Sequence, residues 1–181
     1  MVALVIVLAV VVVLAVGAAV WFYLRERRSR QLREHFGPEY DRAVRDTGDT
    51  RRAERELAAR QERVERLQIR PLSAADRDRF ADAWRRTQAQ FVDDPTAAIR
   101  SADELIGDAM QKRGYPVGDF ETRAADLSVD HPTVVSNYRA AHAIAMSSAQ
   151  GGASTEDLRK AMVHYRALFD ELVGIPQEAQ R

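Results

Sequence analysis

The sequence predicts an all-α protein: one N-terminal transmembrane helix, a charged stalk helix and a soluble bundle of about four or five helices. Three observations predict it. The chain opens on an uncharged, proline-free apolar run from Val2 to Leu24. Beyond that run, apolar residues recur at three- and four-residue spacing, and no segment sustains the period-two alternation of a half-buried strand. The breaks between segments are short and carry Gly, Pro, Ser or Asp, which cap helices and turn chains.

The opening run sets the address. As a helix it would extend roughly 34 Å, enough to cross a hydrocarbon layer of about 30 Å. Valine favours helix poorly in water, but in lipid every backbone polar group must be paired within the segment, which forces helix. Trp21, Phe22 and Tyr23 form an aromatic belt, and Arg25, Arg27, Arg28 and Arg30 follow at headgroup depth. A cleaved signal peptide would need a basic start and a shorter apolar core. No Lys or Arg precedes this run, and aromatics stand where small residues should, although Ala15-Val16-Gly17 offers a small-x-small step. Ala15 and Ala19 also form a small-xxx-small pair of the kind that lets two spans pack. The arginines place the following domain in the cytoplasm, the extracytoplasmic side being the alternative, and leave almost no chain outside.

The expected organisation is a transmembrane anchor over 1–24, basic juxtamembrane and stalk helices over 25–70, an acidic helical bundle over 71–173 and a flexible tail over 174–181. Formal net charge is zero, but it is unevenly spread. Residues 25–70 hold 14 basic and 10 acidic side chains, a net of +4; residues 71–181 hold 13 and 17, a net of −4. The basic part therefore lies next to the membrane, where anionic lipid headgroups attract it. The distal part is too acidic for a nucleic-acid module. Without cysteine there is no disulfide, thiol nucleophile or thiolate metal site.

Taken in order, residues 25–36 continue the anchor helix, with Leu32 and Phe36 an i,i+4 apolar pair, until Gly37-Pro38 breaks it. Residues 39–47 form a short helix ended by Gly48. Residues 50–68 are rich in Arg and Glu, with Glu56/Arg60 and Glu62/Arg66 at i,i+4 spacing. The apolar stripe there (Ala53, Leu57, Val64, Leu67) is thin, which reads as a stalk or a helix laid along a partner, with a solvated helix favoured over the covered one. Pro71 stops it, and Ser73 with Asp76 resembles a capping box. Phe80, Trp84, Thr87 and Phe91 share the next face. Asp94-Pro95 opens a helix carrying Ala98, Ile99, Ala102, Leu105, Ile106, Ala109 and Met110. The stretch 114–118 is a Gly/Pro loop, and 119–127 a short helix with Phe120, Ala124 and Leu127 inward. Asp130-His131-Pro132 opens another, Asp130 capping it, with Val135, Tyr138 and either Ala141 or His142 inward. After Gly151-Gly152, Ser154 and Asp157 cap the last helix, whose stripe is Leu158, Met162, Tyr165, Phe169 and Leu172.

Chemistry-bearing motifs are sparse. His131 and His142 stand about 16 Å apart along a helix and cannot share a metal. Neither HExxH nor the Glu-x-x-His di-iron pattern occurs, so no metal site and no cofactor is predicted. Most adjacent carboxylates (Asp93/Asp94, Asp103/Glu104, Glu156/Asp157, Asp170/Glu171) fall in first turns or on exposed faces. No GxSxG, Walker A or GxGxxG motif appears, and no catalytic residue is assigned. Candidate interaction or ligand residues are Tyr115 and Phe120, which flank the Gly/Pro loop and staple helices or present a surface, together with Asp130, His131, Tyr138, His142 and His164.

The blocks FGPEY (Phe36 to Tyr40), RGYPVGDF (Arg113 to Phe120), RAADLSVDHP (Arg123 to Pro132), NYRAAH (Asn137 to His142) and HYRAL (His164 to Leu168) resemble an uncharacterised family of small bacterial membrane-anchored all-helical proteins. The resemblance covers most of the chain after the anchor and implies a bacterial plasma-membrane address, with no activity, cofactor or catalytic residue attached. The expected function is a single-pass protein-interaction module with an unknown protein partner. The alternatives are a membrane-tethered small-ligand or haem/metal sensor using His142, Tyr138 or His164, and a hydrolase using Asp130 and His131.

Overall fold

The computed structural model describes residues 2–174, with side chains from Leu14 onward. Its described residues form eight helices and no strand. Two compact units divide after Leu57, within the third helix.

The first unit is built on α1 (Val2–Phe36), α2 (Pro38–Thr47) and the first half of α3 (Thr50–Glu65). Gly37, at φ 49°, turns the chain where α1 ends, and its N–H still bonds the Arg33 carbonyl at 3.0 Å. Pro38 then occupies the first position of α2, where a missing N–H costs nothing. Gly48 closes α2 in the left-handed conformation. Leu32, Phe36, Tyr40, Ala43, Ala53 and Leu57 are all buried. That corrects the solvated-stalk reading of 50–68: the thin stripe is covered, and at about 1.5–3 kcal/mol per fully buried large side chain it holds the unit together. A polar knot fixes it further, for Glu54 Oε1 accepts from Ser29 Oγ at 2.6 Å and from Tyr40 Oη at 2.9 Å.

Among the described residues, no helix is long and apolar enough to cross a membrane. Of the expected anchor over 1–24, Met1 lies outside the described residues, and the side chains of residues 2–13 are not described; the backbone from Val2 is the start of α1. Of the expected tail over 174–181, only Gly174, the C-cap of α8, is among the described residues.

The second unit holds α4 (Ala74–Asp93), α5 (Pro95–Arg113), α6 (Phe120–Asp130), α7 (Val135–Ala149) and α8 (Thr155–Val173). One residue joins α4 to α5. The Asp94 N–H bonds the Gln90 carbonyl to end α4, while its carboxylate accepts from Ala97 N to start α5. α5 packs on α4, α7 and α8, and α6 on α7. Ile99, Ile106 and Met110 from α5 join Leu158, Tyr165 and Phe169 from α8, and Trp84 stacks on Phe169 with centroids 4.6 Å apart. The full reciprocal capping box forms at Ser154 and Asp157; at Ser73 the side chain accepts from Asp76 N and donates to Asp76 Oδ2. Of the two inward candidates on α7, Ala141 is buried and His142 lies half-buried.

One helix boundary differs from expectation. α6 runs through Asp130, and α7 starts only at Val135 with no side-chain cap. Asp130 is therefore no N-cap. Its Oδ2 accepts from Tyr115 Oη at 2.7 Å, a contact made across the fold that outweighs the local capping preference.

Candidate functional site

Within the second unit, polar groups gather in two places. The first is the corner between α6 and α7. His131 is the C-cap of α6, and its N–H bonds the Leu127 carbonyl. Its Nε2 faces Arg113 Nη1 at 3.3 Å and its Nδ1 faces Glu171 Oε1 at 3.2 Å. A guanidinium only donates, so Nε2 accepts and the proton sits on Nδ1, directed to Glu171. Burial is the main cause that pushes the His131 pKa below 6.5; the Glu171 hydrogen bond opposes it and the Arg113 charge adds to it. Both ring nitrogens are engaged, so neither faces a nucleophile. The hydrolase alternative's Asp130 and His131 do not hydrogen-bond each other: Asp130 turns to Tyr115, and the histidine's carboxylate partner comes from α8. Tyr115 is buried rather than presented, and burial followed by the Asp130 hydrogen bond pushes its hydroxyl well above the usual tyrosine range. Close by in the same unit, the buried Asp126 takes Arg63 through Oδ1 at 2.9 Å (Nε) and 2.5 Å (Nη2), while its Oδ2 has no partner among the described residues.

The second is a half-buried network on α5. Asp103 Oδ1 accepts from Tyr165 Oη at 3.2 Å and Oδ2 from Arg123 Nη2 at 3.4 Å. Tyr138 lies between Tyr165 and Phe120, and its buried hydroxyl has no hydrogen-bond partner among the described residues. Burial first and the Asp103 charge second push both the Tyr138 and the Tyr165 hydroxyls above their usual range. Gly107 serves this network: a Cβ there would meet Arg123 Nη1 at 3.0 Å. His142 lies flat on Phe120, centroids 3.6 Å apart and planes within 6°, and burial lowers its pKa as well. Asp103, His142 and Met146 border a groove of about 200 Å³, below the roughly 300 Å³ at which small-molecule sites begin. His164 is half-buried on α8. No group of three His, Cys, Asp or Glu able to hold a metal occurs among the described residues.

The carboxylates read as exposed divide on inspection. Glu156 and Asp157 are solvated, but Asp170 is buried against Arg166, its two oxygens each 2.9 Å from Nε. The acidic distal half also presents a basic groove between α4 and α5, bordered by Arg70, Arg79, Arg86 and Lys112 together with Asp108. Asp76 neutralises part of it by pairing with Arg79 and Lys112.

In the first unit, Trp21, Phe22 and Tyr23 are exposed on α1, as are Arg27, Arg28 and Arg30, with Arg25 half-buried. Arg25 lies over the Trp21 ring at 5.5 Å, and Arg30 pairs with Glu26. A groove of about 260 Å³ runs between this stretch and the start of α3, bordered by Trp21, Arg25, Arg28, Arg51, Glu54 and Arg55. Sequence reasoning had no reason to single out Arg51 and Arg55. The signal that was there is their i,i+4 spacing, which matches the i,i+3 spacing of Arg25 and Arg28 and gives each helix a two-arginine face.

No family model matches this chain, and no curated protein or solved structure matches it either.

Proposed function

We propose that the chain is a single-pass, membrane-anchored helical interaction module at the inner face of a bacterial plasma membrane. The observation that carries this reading is the uncharged apolar run from Val2 to Leu24, closed by three aromatics and followed at once by arginines. The distal helices form a protein-binding platform, and three features favour that over catalysis. Both nitrogens of His131 are occupied, burial makes the tyrosine hydroxyls around Asp103 harder still to ionise, and the groove beside His142 is small. A reporter fused to the C-terminus tests the topology: activity inside the cell supports it, and activity only outside reverses it. Proximity labelling against an anchor-only control tests the platform, and no enriched protein over that control counts against it.

A small-ligand sensor is the second reading, favoured by the Asp103–His142 groove and the unbonded Tyr138 hydroxyl. A thermal-shift panel on the purified chain decides it, and a flat response leaves it without support.

A further inference from the structure

We infer that the groove between α1 and α3 is a clamp for the phosphate of an anionic phospholipid headgroup, a conclusion that rests on the anchor reading of Val2–Leu24. Four arginines converge there from two helices, Arg25 and Arg28 from α1 with Arg51 and Arg55 from α3. Among the described residues, the guanidiniums of Arg28, Arg51 and Arg55 close no hydrogen bond or ion pair, and the exposed Asp49 acts on Arg51 and Arg55 only through space. The one carboxylate in the groove is Glu54, and its Oε1 is already held by the Ser29 and Tyr40 hydroxyls. Asp49 offsets part of the charge on Arg51 and Arg55, but four gathered guanidiniums still favour an anion between them.

Arginine's planar fork is built for phosphate oxygens, and two such faces opposite each other can hold one phosphate from both sides. The lipid origin follows from position. Trp21 borders the groove, more than half exposed and covered on one face by Arg25, and the apolar run ends three residues later. A tryptophan at that point sits at headgroup level, with acyl chains on one side and phosphates on the other. Glu54 bound to Ser29 of α1 holds the first turns of α3 against this level, bringing Arg51 and Arg55 within reach.

The test uses the full chain reconstituted in nanodiscs of phosphatidylcholine with a minority of phosphatidylglycerol, then partly delipidated, with the retained lipids measured by mass spectrometry. Wild type should retain phosphatidylglycerol several-fold above its bulk share. The R51Q/R55Q double variant should fall toward that share, by on the order of fivefold per arginine. R52Q, on the same helix but paired with Glu56, should keep the enrichment. Unchanged circular dichroism in R51Q/R55Q shows that the fold survives. Equal enrichment in wild type and R51Q/R55Q overturns the clamp, as does no enrichment in wild type that has entered the discs. A chain that never enters the discs sinks the anchor reading itself. Micromolar binding of inorganic phosphate in lipid-free detergent, lost in R51Q/R55Q, would overturn the lipid assignment in favour of a soluble phosphate.

Discussion

His131 shows how a single side chain changes meaning once its surroundings are known. Next to Asp130 in the chain it suggests acid–base chemistry; in the fold it is a neutral strut between Arg113 and Glu171. Its depressed pKa has a consequence for stability. The unfolded chain takes up a proton near 6.5, whereas the folded chain resists until a lower pH, so the contribution is present above 6.5 and is lost as pH falls through the folded value. Thermal melting of the full chain should therefore show a midpoint that drops below pH 6.5, and His131→Gln should flatten that drop. Arg113, Glu171 and Asp130 are the charged groups facing the ring, and a drop left unchanged in His131→Gln would show that His131 is not its source. Arg63 gives a second test. Removing it strands the Asp126 carboxylate, which is 1 % exposed, but Arg63 itself is half exposed and water screens part of the pairing. Arg63→Ala should cost about 2–3 kcal/mol by denaturant melting, and a change under about 0.5 kcal/mol would mean that water already serves Asp126.

Helix ends are where the chain was easiest to read. Ser73, Asp94, Asp119 and Ser154 each accept from a backbone N–H three residues on, because a short polar side chain just before a helix satisfies an otherwise orphaned donor. Asp130 was misread by the same rule, since a tyrosine distant in sequence claimed its carboxylate. Glycines at the breaks are not equivalent either. Gly114 has φ 104°, and a Cβ would meet the Gln68 carbonyl oxygen at 2.7 Å; Gly151 has φ 76° with open space around it. Gly151→Ala should cost about 1 kcal/mol from backbone strain alone, and Gly114→Ala at least about twice that, because a backbone atom must also move. Chemical denaturation of the two variants side by side checks the ranking, and equal losses would mean that the 66–72 segment yields freely.

For the molecule as a whole, the proposed anchoring links charge to topology. Residues 25–70, with a net of +4, directly follow the apolar run, so on that reading mutating the arginines should change orientation before it changes folding. Replacing Arg25, Arg27, Arg28 and Arg30 by Gln should give a mixed population of C-terminal reporter activity inside and outside the cell. Retention of a single orientation would show that other groups set it. Charge counts describe long stretches, though, and the bundle with net −4 still carries a basic groove between α4 and α5, since like charges far apart in the chain met on one surface.

What the amino-acid order determined by itself is what depends on neighbours within about one helical turn: the helical class, the breaks at Gly37-Pro38 and Gly151-Gly152, most caps, and which stripes of α4, α5 and α8 turn inward. The apolar run belongs here too, because its length and lack of charge are properties of the chain. What only tertiary structure decided is which groups distant in sequence meet. The covering of Ala53 and Leu57, the pairing of His131 with Glu171, of Arg63 with Asp126 and of Tyr165 with Asp103, and the meeting of Arg51 and Arg55 with Arg28 all required helices to pack. The physical reason is range: periodicity and capping act over a few residues, while burial and charge pairing act through space, and a single sequence carries no trace of which distant residues will be neighbours.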